Sequence, residues 1–185
     1  MEENGVKLIE CPRDAMQGIV PFIPTDLKVE YLTTLLRVGF DTIDIGSFVS
    51  PKAIPQLADT AEVLARIDRS GSRSKLLVIV ANERGAEQAV QHDNVTYLGY
   101  PFSISETFQQ RNTNTSIEGS WHRIARIAEI EQAAGKELVV YISMAFGNPY
   151  GDPWNVEIVG EWTEKLANMG VKILSLSDTF GSSTP

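Results

Sequence analysis

Three joints along the chain share one design. VGFDTIDI (38–45), AGKELVVYI (134–142) and MGVKILSLSD (169–178) each place Gly where a helix ends in a left-handed turn, followed at once by a β-rich run. Apolar runs and helical periodicity alternate between these joints. The pattern predicts strands at 6–11, 40–45, 76–81, 95–100, 138–145 and 172–177. It predicts a helix over 26–38 with Thr25 as N-cap, one opened by the Asp59-Thr-Ala-Glu62 capping box, and one over 83–91 capped by Asn82. A long helix runs from the Thr115-Ser-Ile-Glu118 box to Gly135, with an apolar stripe of Trp121, Ile124, Ala125 and Ala128. The last helix opens at Asp152-Pro153, with Pro at its first position, and ends at Gly170. The stretch 101–115 reads as the longest irregular segment, and loops of that length tend to carry function.

Six strands with five intervening helices require long crossovers, so the sheet is mainly parallel. Two α/β architectures satisfy this pattern, a doubly wound sheet and a barrel, and both keep their active residues at the C-terminal ends of the strands. Neither a G-x-G-x-x-G after the first strand nor a Walker A sequence occurs, so nucleotide-fold signals are missing. At 185 residues the chain reads as a single domain, 1–185. It falls short of the roughly 250 residues of a complete eight-unit barrel.

Composition narrows the function classes. Sixteen Lys and Arg against 24 Asp and Glu leave a net charge of −8, which argues against nucleic acid and anionic membranes as partners. No apolar run approaches the roughly 20 residues of a membrane span. The opening Met-Glu-Glu-Asn shows no secretory pattern, and the lone Cys11 permits no internal disulfide; a cytoplasmic location is expected. Cys11 is expected to be a buried structural thiol, and His92 and His122 to be ordinary surface residues. Met16, Met144 and Met169 read as gap-filling apolar side chains. No Gly-x-Ser-x-Gly elbow occurs, which makes a serine hydrolase a poor fit.

The strand exits carry the informative residues. The first runs into Cys11-Pro-Arg-Asp-Ala-Met-Gln17, the second into Asp44-Ile-Gly-Ser-Phe-Val-Ser-Pro-Lys52, and the sixth into Ser177-Asp-Thr-Phe-Gly181. Each brings a carboxylate to the C-terminal end of a parallel strand. In a barrel those ends converge, so Asp14, Asp44 and Asp178 could meet with Arg13 among them. Carboxylates gathered around one point suit a hard divalent cation. The competing reading makes each one a helix cap or turn former. Asp44 resists that reading, because it lies inside an apolar strand where an unpaired carboxylate is costly.

These motifs resemble the 3-hydroxy-3-methylglutaryl-CoA lyase family of metal-dependent TIM (β/α)8 barrels. The likeness rests on Pro-Arg-Asp-x-x-Gln at 12–17, Ser-Phe-Val-Ser-Pro-Lys with Pro-Gln at 47–56, and Thr-Ala-Glu-Val at 60–63. It continues through Ser-x-Ser-Glu and Asn-x-x-x-Ser-Ile-Glu at 103–118, Gly-Asn-Pro-Tyr at 147–150 and Ser-Asp-Thr-x-Gly at 177–181. The resemblance implies a fold of which about the first six βα units lie in this chain. It implies cleavage of the acyl-CoA to acetyl-CoA and acetoacetate, Mg²⁺ or Mn²⁺ as cofactor, and a homodimer when complete. Asp14 would ligate the metal; Arg13 would bind substrate and stabilise enolate charge, with Gln17 in support. Ser47 would contact substrate, Asp178 would handle the hydroxyl proton, and Asp44 stands where these lyases usually carry Glu. A His-x-His metal pair and a Cys-containing loop that the resemblance also implies are absent from the sequence, so the 185 residues alone are expected to be inactive. The neighbouring alternatives are a related acyl-CoA condensing enzyme or aldolase, and a non-catalytic barrel fragment.

Overall fold

The computed structural model of the protein describes residues 5–184; the opening Met-Glu-Glu-Asn lies outside them. Six parallel strands form one sheet in sequential order: β1 (Ile9–Glu10), β2 (Thr42–Ser47), β3 (Lys75–Ile79), β4 (Tyr97–Ser103), β5 (Glu137–Ser143) and β6 (Ile173–Leu176). The helices are α1 (Pro12–Gln17), α2 (Thr25–Leu36), α3 (Thr60–Arg66), α4 (Glu83–Ala89), α5 (Glu106–Thr113), α6 (Ile117–Ala133) and α7 (Val156–Asn168).

Strand order and the division of the core decide between the two architectures. Outward-facing Ile43, Leu76, Val78, Leu98, Tyr100, Val140 and Ile142 pack with Leu32 and Leu36 of α2, Leu64 of α3, Ile124 and Ile127 of α6, and Leu166 of α7. The inward-facing cluster, Leu77, Ile79, Tyr97 and Val139 with Val49, Tyr141 and Ile173, contains no helical residue. A doubly wound sheet buries both faces under helices and reverses its strand order. This sheet does neither, and it forms six staves of a TIM-type barrel.

Several local expectations shift for physical reasons. The first strand pairs only at Ile9 and Glu10, against Thr42 and Ile43. With a single described neighbour, its apolar side chains find nothing to cover them, and Val6 and Leu8 are 93% and 64% exposed. Residues 101–115 are not irregular: β4 continues to Ser103, and α5 follows, capped by Ser105, whose side chain accepts from the Phe108 amide. Two further caps fall later than expected, at Ser116 rather than Thr115 and at Asn155 rather than Asp152. Neither Thr25 nor Asp59 caps its helix. Thr25 Oγ1 donates to Asp59 instead, and Asp59 also accepts from Lys28. Asn82 caps α4 as expected, its Oδ1 2.9 Å from the Gly85 amide. Gly39, Gly135 and Gly170 all adopt positive φ, at 94°, 66° and 104°, which is the conformation that the three joints require.

One glycine bears on the site. A Cβ on Gly85 would lie 2.6 Å from the Phe48 carbonyl oxygen, so the N-terminus of α4 sits directly under the loop that leaves β2. Alanine there gains about 1 kcal/mol of helix propensity. It also forces backbone against backbone, an overpacking cost of about 1–3 kcal/mol. Because a carbonyl cannot swing aside as a side-chain tip can, Gly85→Ala is expected to lower stability. Urea unfolding of the variant should show a lower midpoint at unchanged slope.

Candidate active site

Sheet pleat builds the site. Along β2, Ile43 and Ile45 face the helical layer, which turns Asp44 to the barrel interior. The register then slips between Asp44 and Gly46, where β2 bulges against β3. Immediately past β1 the chain turns into α1, whose Pro12 occupies the first helical position. The turn carries Arg13 over the end of β2.

The two side chains meet in a fork. Arg13 Nε donates to Asp44 Oδ2 at 3.0 Å, and Nη2 donates to the same oxygen at 2.7 Å. Nη1 donates to Asp14 Oδ1 and to Gln17 Oε1, each at 3.0 Å. Four of the five guanidinium N–H groups are thus committed, and one Nη2 N–H keeps no partner among the described residues. The Asp44 side chain is fully buried, while that of Asp14 is 72% exposed. Burial pushes the Asp44 carboxyl above the ordinary carboxylate range, against the opposing pull of the Arg13 guanidinium. Burial weakens the charge on Arg13, and its bonds to Asp44 more than restore it, so the guanidinium stays protonated.

Arg13, Asp14, Gln17 and Asp44 therefore form one cluster. Asp178 does not join it. Its carboxylate accepts from the Ser182 amide at 2.9 Å, the Ser183 amide at 3.0 Å and the Ser183 hydroxyl at 2.6 Å. The Ser183 hydroxyl leads these donors in pulling the Asp178 pKa down to about 2. Ser47 is also spent locally. Buried, its hydroxyl donates to the Ile79 carbonyl at 3.3 Å and accepts from the Val49 amide at 3.2 Å, which fastens the end of β2.

Among the described residues no group of three His, Cys, Asp or Glu comes together that could hold a metal. Arg13 covers Asp44, and the 182–183 turn holds Asp178. Asp14 is left as a single carboxylate turned to solvent, so these residues do not by themselves fit a complete divalent-cation site. Cys11, expected to be buried, is exposed beside the cluster; loss of solvent around the sulfur and then the charge of Asp44 push its thiol up from the ordinary range. His122 is exposed, whereas His92 is half-buried with its ring 5.2 Å from that of Phe48.

Tyr141 was not foreseen as part of the site. It faces inward on β5, half-buried, within electrostatic reach of Asp44, Cys11, Arg13 and Asp14. Burial and then the Asp44 charge push its phenol upward, which keeps it a proton-bearing donor. The available signal was period-two alternation in LVVYIS, which sets Tyr141 on the face opposite Val140 and Ile142.

A parallel α/β barrel sheet with an arginine–carboxylate cluster at its C-terminal strand ends places this chain among barrel-type α/β proteins. Residues 6–185 match the HMGL-like family model, and the chain belongs to that family. It is 37% identical over 183 residues to the mitochondrial hydroxymethylglutaryl-CoA lyase of Mus musculus, covering 97% of this chain and 55% of that protein. To the cytoplasmic 3-hydroxy-3-methylglutaryl-CoA lyase of Rattus norvegicus it is 35% identical over 182 residues, covering 97% and 52%. The solved HMG-CoA lyase of Bacillus subtilis superposes with a TM-score of 0.91 at 34% identity, covering 97% of this chain and 60% of that one. An HMG-CoA lyase from Acinetobacter baumannii in complex with coenzyme A and 3-methylmalate gives a TM-score of 0.90 at 30% identity, covering 97% and 58%. The chain thus spans about half the length of the curated relatives it matches.

The turn around Asp178 yields a direct test. Removing the Ser183 hydroxyl in Ser183→Ala should raise the Asp178 pKa from about 2 toward the ordinary carboxylate range, as read by the carboxyl carbon shift in an NMR titration.

Proposed function

We propose that the whole protein is a carbon–carbon lyase that cleaves 3-hydroxy-3-methylglutaryl-CoA to acetyl-CoA and acetoacetate. The observation that carries this reading is the Arg13 guanidinium, forked onto a fully buried Asp44 at the mouth of the barrel with one N–H uncommitted. Similarity to hydroxymethylglutaryl-CoA lyases along 97% of the chain supports the substrate class.

In this reading a base takes the tertiary hydroxyl proton of the substrate. The resulting oxyanion collapses to the ketone of acetoacetate, and the electron pair of the broken C2–C3 bond passes into the thioester enolate. Protonation of that enolate gives acetyl-CoA. Charge moves onto oxygen throughout, so donors fixed before reaction stabilise the transition state more than the ground state. Arg13 is such a donor: Asp44, Asp14 and Gln17 hold it, and it pays no reorganisation when charge develops. The protonated phenol of Tyr141 supplies a second donor on the inner wall. The hydroxyl proton falls to Asp178 only if the turn at Ser182 and Ser183 releases it, because a carboxylate with a pKa near 2 is a weak base.

Asp14 is the ligand that the described residues offer to Mg²⁺ or Mn²⁺, the cations included in this reading. A homodimer in the cytoplasm completes the proposal; no described helix is long and apolar enough to cross a membrane.

The test is acetoacetate release from 3-hydroxy-3-methylglutaryl-CoA by the whole protein and by Arg13→Lys. An ammonium cannot reproduce the fork, so kcat should fall about 10²–10³-fold while KM changes little. A variant with normal kcat and raised KM would remove Arg13 from the chemical step. A wild-type protein that releases no acetoacetate would refute the lyase reading.

A further inference from the structure

Pro55 and Gln56 follow the Ser-Phe-Val-Ser-Pro-Lys run but have no part in the chemistry above. They lie in a short 3-10 turn, Pro55–Leu57, that packs against α1. Gln56 is 4% exposed, and it spends its whole amide on the loop joining α1 to α2. Oε1 accepts from the Ile23 amide at 2.8 Å, and Nε2 donates to the Ile19 and Pro21 carbonyls at 2.7 and 3.3 Å.

Lys28 backs this contact from α2. Only 2% exposed, its ammonium donates to the backbone carbonyl of Gln56 and, at 2.7 Å, to Asp59 Oδ1. Its third direction meets the ring of Phe22, 4.0 Å from Nζ to the centroid. Asp59 Oδ2 in turn accepts from Thr25 Oγ1 at 2.8 Å. The buried charge thus has a carboxylate, a carbonyl and an aromatic face, a complete set of partners for three N–H groups.

Hydrophobic burial does not hold this loop. Ile19, Val20 and Phe22 are 47%, 91% and 49% exposed, so its course depends on polar bonds to the segment after β2. That same segment follows the strand that presents Asp44. β2 and its exit therefore grip both ends of α1: Asp44 binds Arg13 at the start, and Gln56 binds the loop at the finish.

We propose that Gln56, supported by Lys28 and Asp59, is a positioning residue for Arg13: by fixing the 19–23 loop it sets the orientation of α1 and the angle at which the guanidinium meets Asp44 and substrate. Only the kinetic half of this inference rests on the proposed lyase activity. The geometric half stands on the bonds themselves.

The experiment compares the whole wild-type protein with Gln56→Leu and Phe22→Leu by segment-resolved amide hydrogen exchange and by turnover of 3-hydroxy-3-methylglutaryl-CoA. Gln56→Leu keeps apolar bulk but removes all three bonds. Exchange should accelerate in residues 13–23 while β3 to β5 stay protected, and kcat should fall about 10–100-fold with KM little changed. Phe22→Leu removes only the ring face from an exposed position, so it should fold and show a milder form of the same local pattern. If Gln56→Leu does not fold, Phe22→Leu decides: local deprotection of 13–23 supports the inference and its absence overturns it. Unchanged exchange over 13–23, or acceleration spread evenly through the sheet, assigns Gln56 a merely structural role and overturns the proposal. Normal kcat despite local deprotection overturns it as well. If the wild type releases no acetoacetate, the lyase reading fails and the exchange data alone decide whether Gln56 positions α1.

Discussion

A carboxylate buried alone inside a barrel is costly enough to take up a proton rather than stay charged. Asp44, with no exposed side-chain surface, bears part of that cost, since burial holds its carboxyl above the ordinary range, and Arg13, reaching it from the next stave, offsets the rest. The fork between them ties the exit of the first strand to the interior of the second. It also fixes a cation with a free donor at the barrel mouth. Asp14 and Gln17 belong to the same helical turn, and each takes one N–H of Nη1, so the guanidinium plane has little freedom. Local structure, packing and the proposed chemistry all pass through this pair.

Around the pair, the pleat separates two jobs. Outward residues of each strand meet the helices and supply most of the buried apolar area, while inward residues form a smaller cluster that leaves room for polar groups. A parallel strand buried on both faces reads as one continuous apolar run. Asp44 and Tyr141 interrupt such runs, and both lie on the inner face. The interruptions mark where the barrel does something other than hold itself together.

Polar bonds also govern the loops. Asp152 accepts from Thr107 through both its amide and its hydroxyl, at 2.9 Å each, so the segment after β5 is fastened to the start of α5. The network of Gln56, Lys28 and Asp59 does the same for the loop after α1. In both places a residue that resembles a helix cap in sequence, Asp152 or Asp59, bonds across to the first turn of another helix instead.

Local chemistry carried the secondary structure. Glycines at helix ends, Asn82 as a cap and apolar periodicity are short-range signals, and they defined the alternation, the parallel sheet and the Arg13–Asp14 and Asp44 strand exits from the amino acids alone. The motifs at 12–17 and 47–56 carried the family. What needed the tertiary structure was every choice made between distant segments. Alternation alone leaves a doubly wound sheet open beside the barrel that the family motifs imply; sequential strand order, with helices on one face only, bears the barrel out. Asp178 has a motif as good as that of Asp44, yet the serines that follow it capture its carboxylate. Tyr141 comes within electrostatic reach of Asp44 and Arg13 although β5 stands three strands from β2 in the sheet. Gln56 became legible only when its amide met a loop more than thirty residues earlier in the chain. Periodicity states which way a side chain points along its own strand; only the arrangement of the strands in space decides what it meets there.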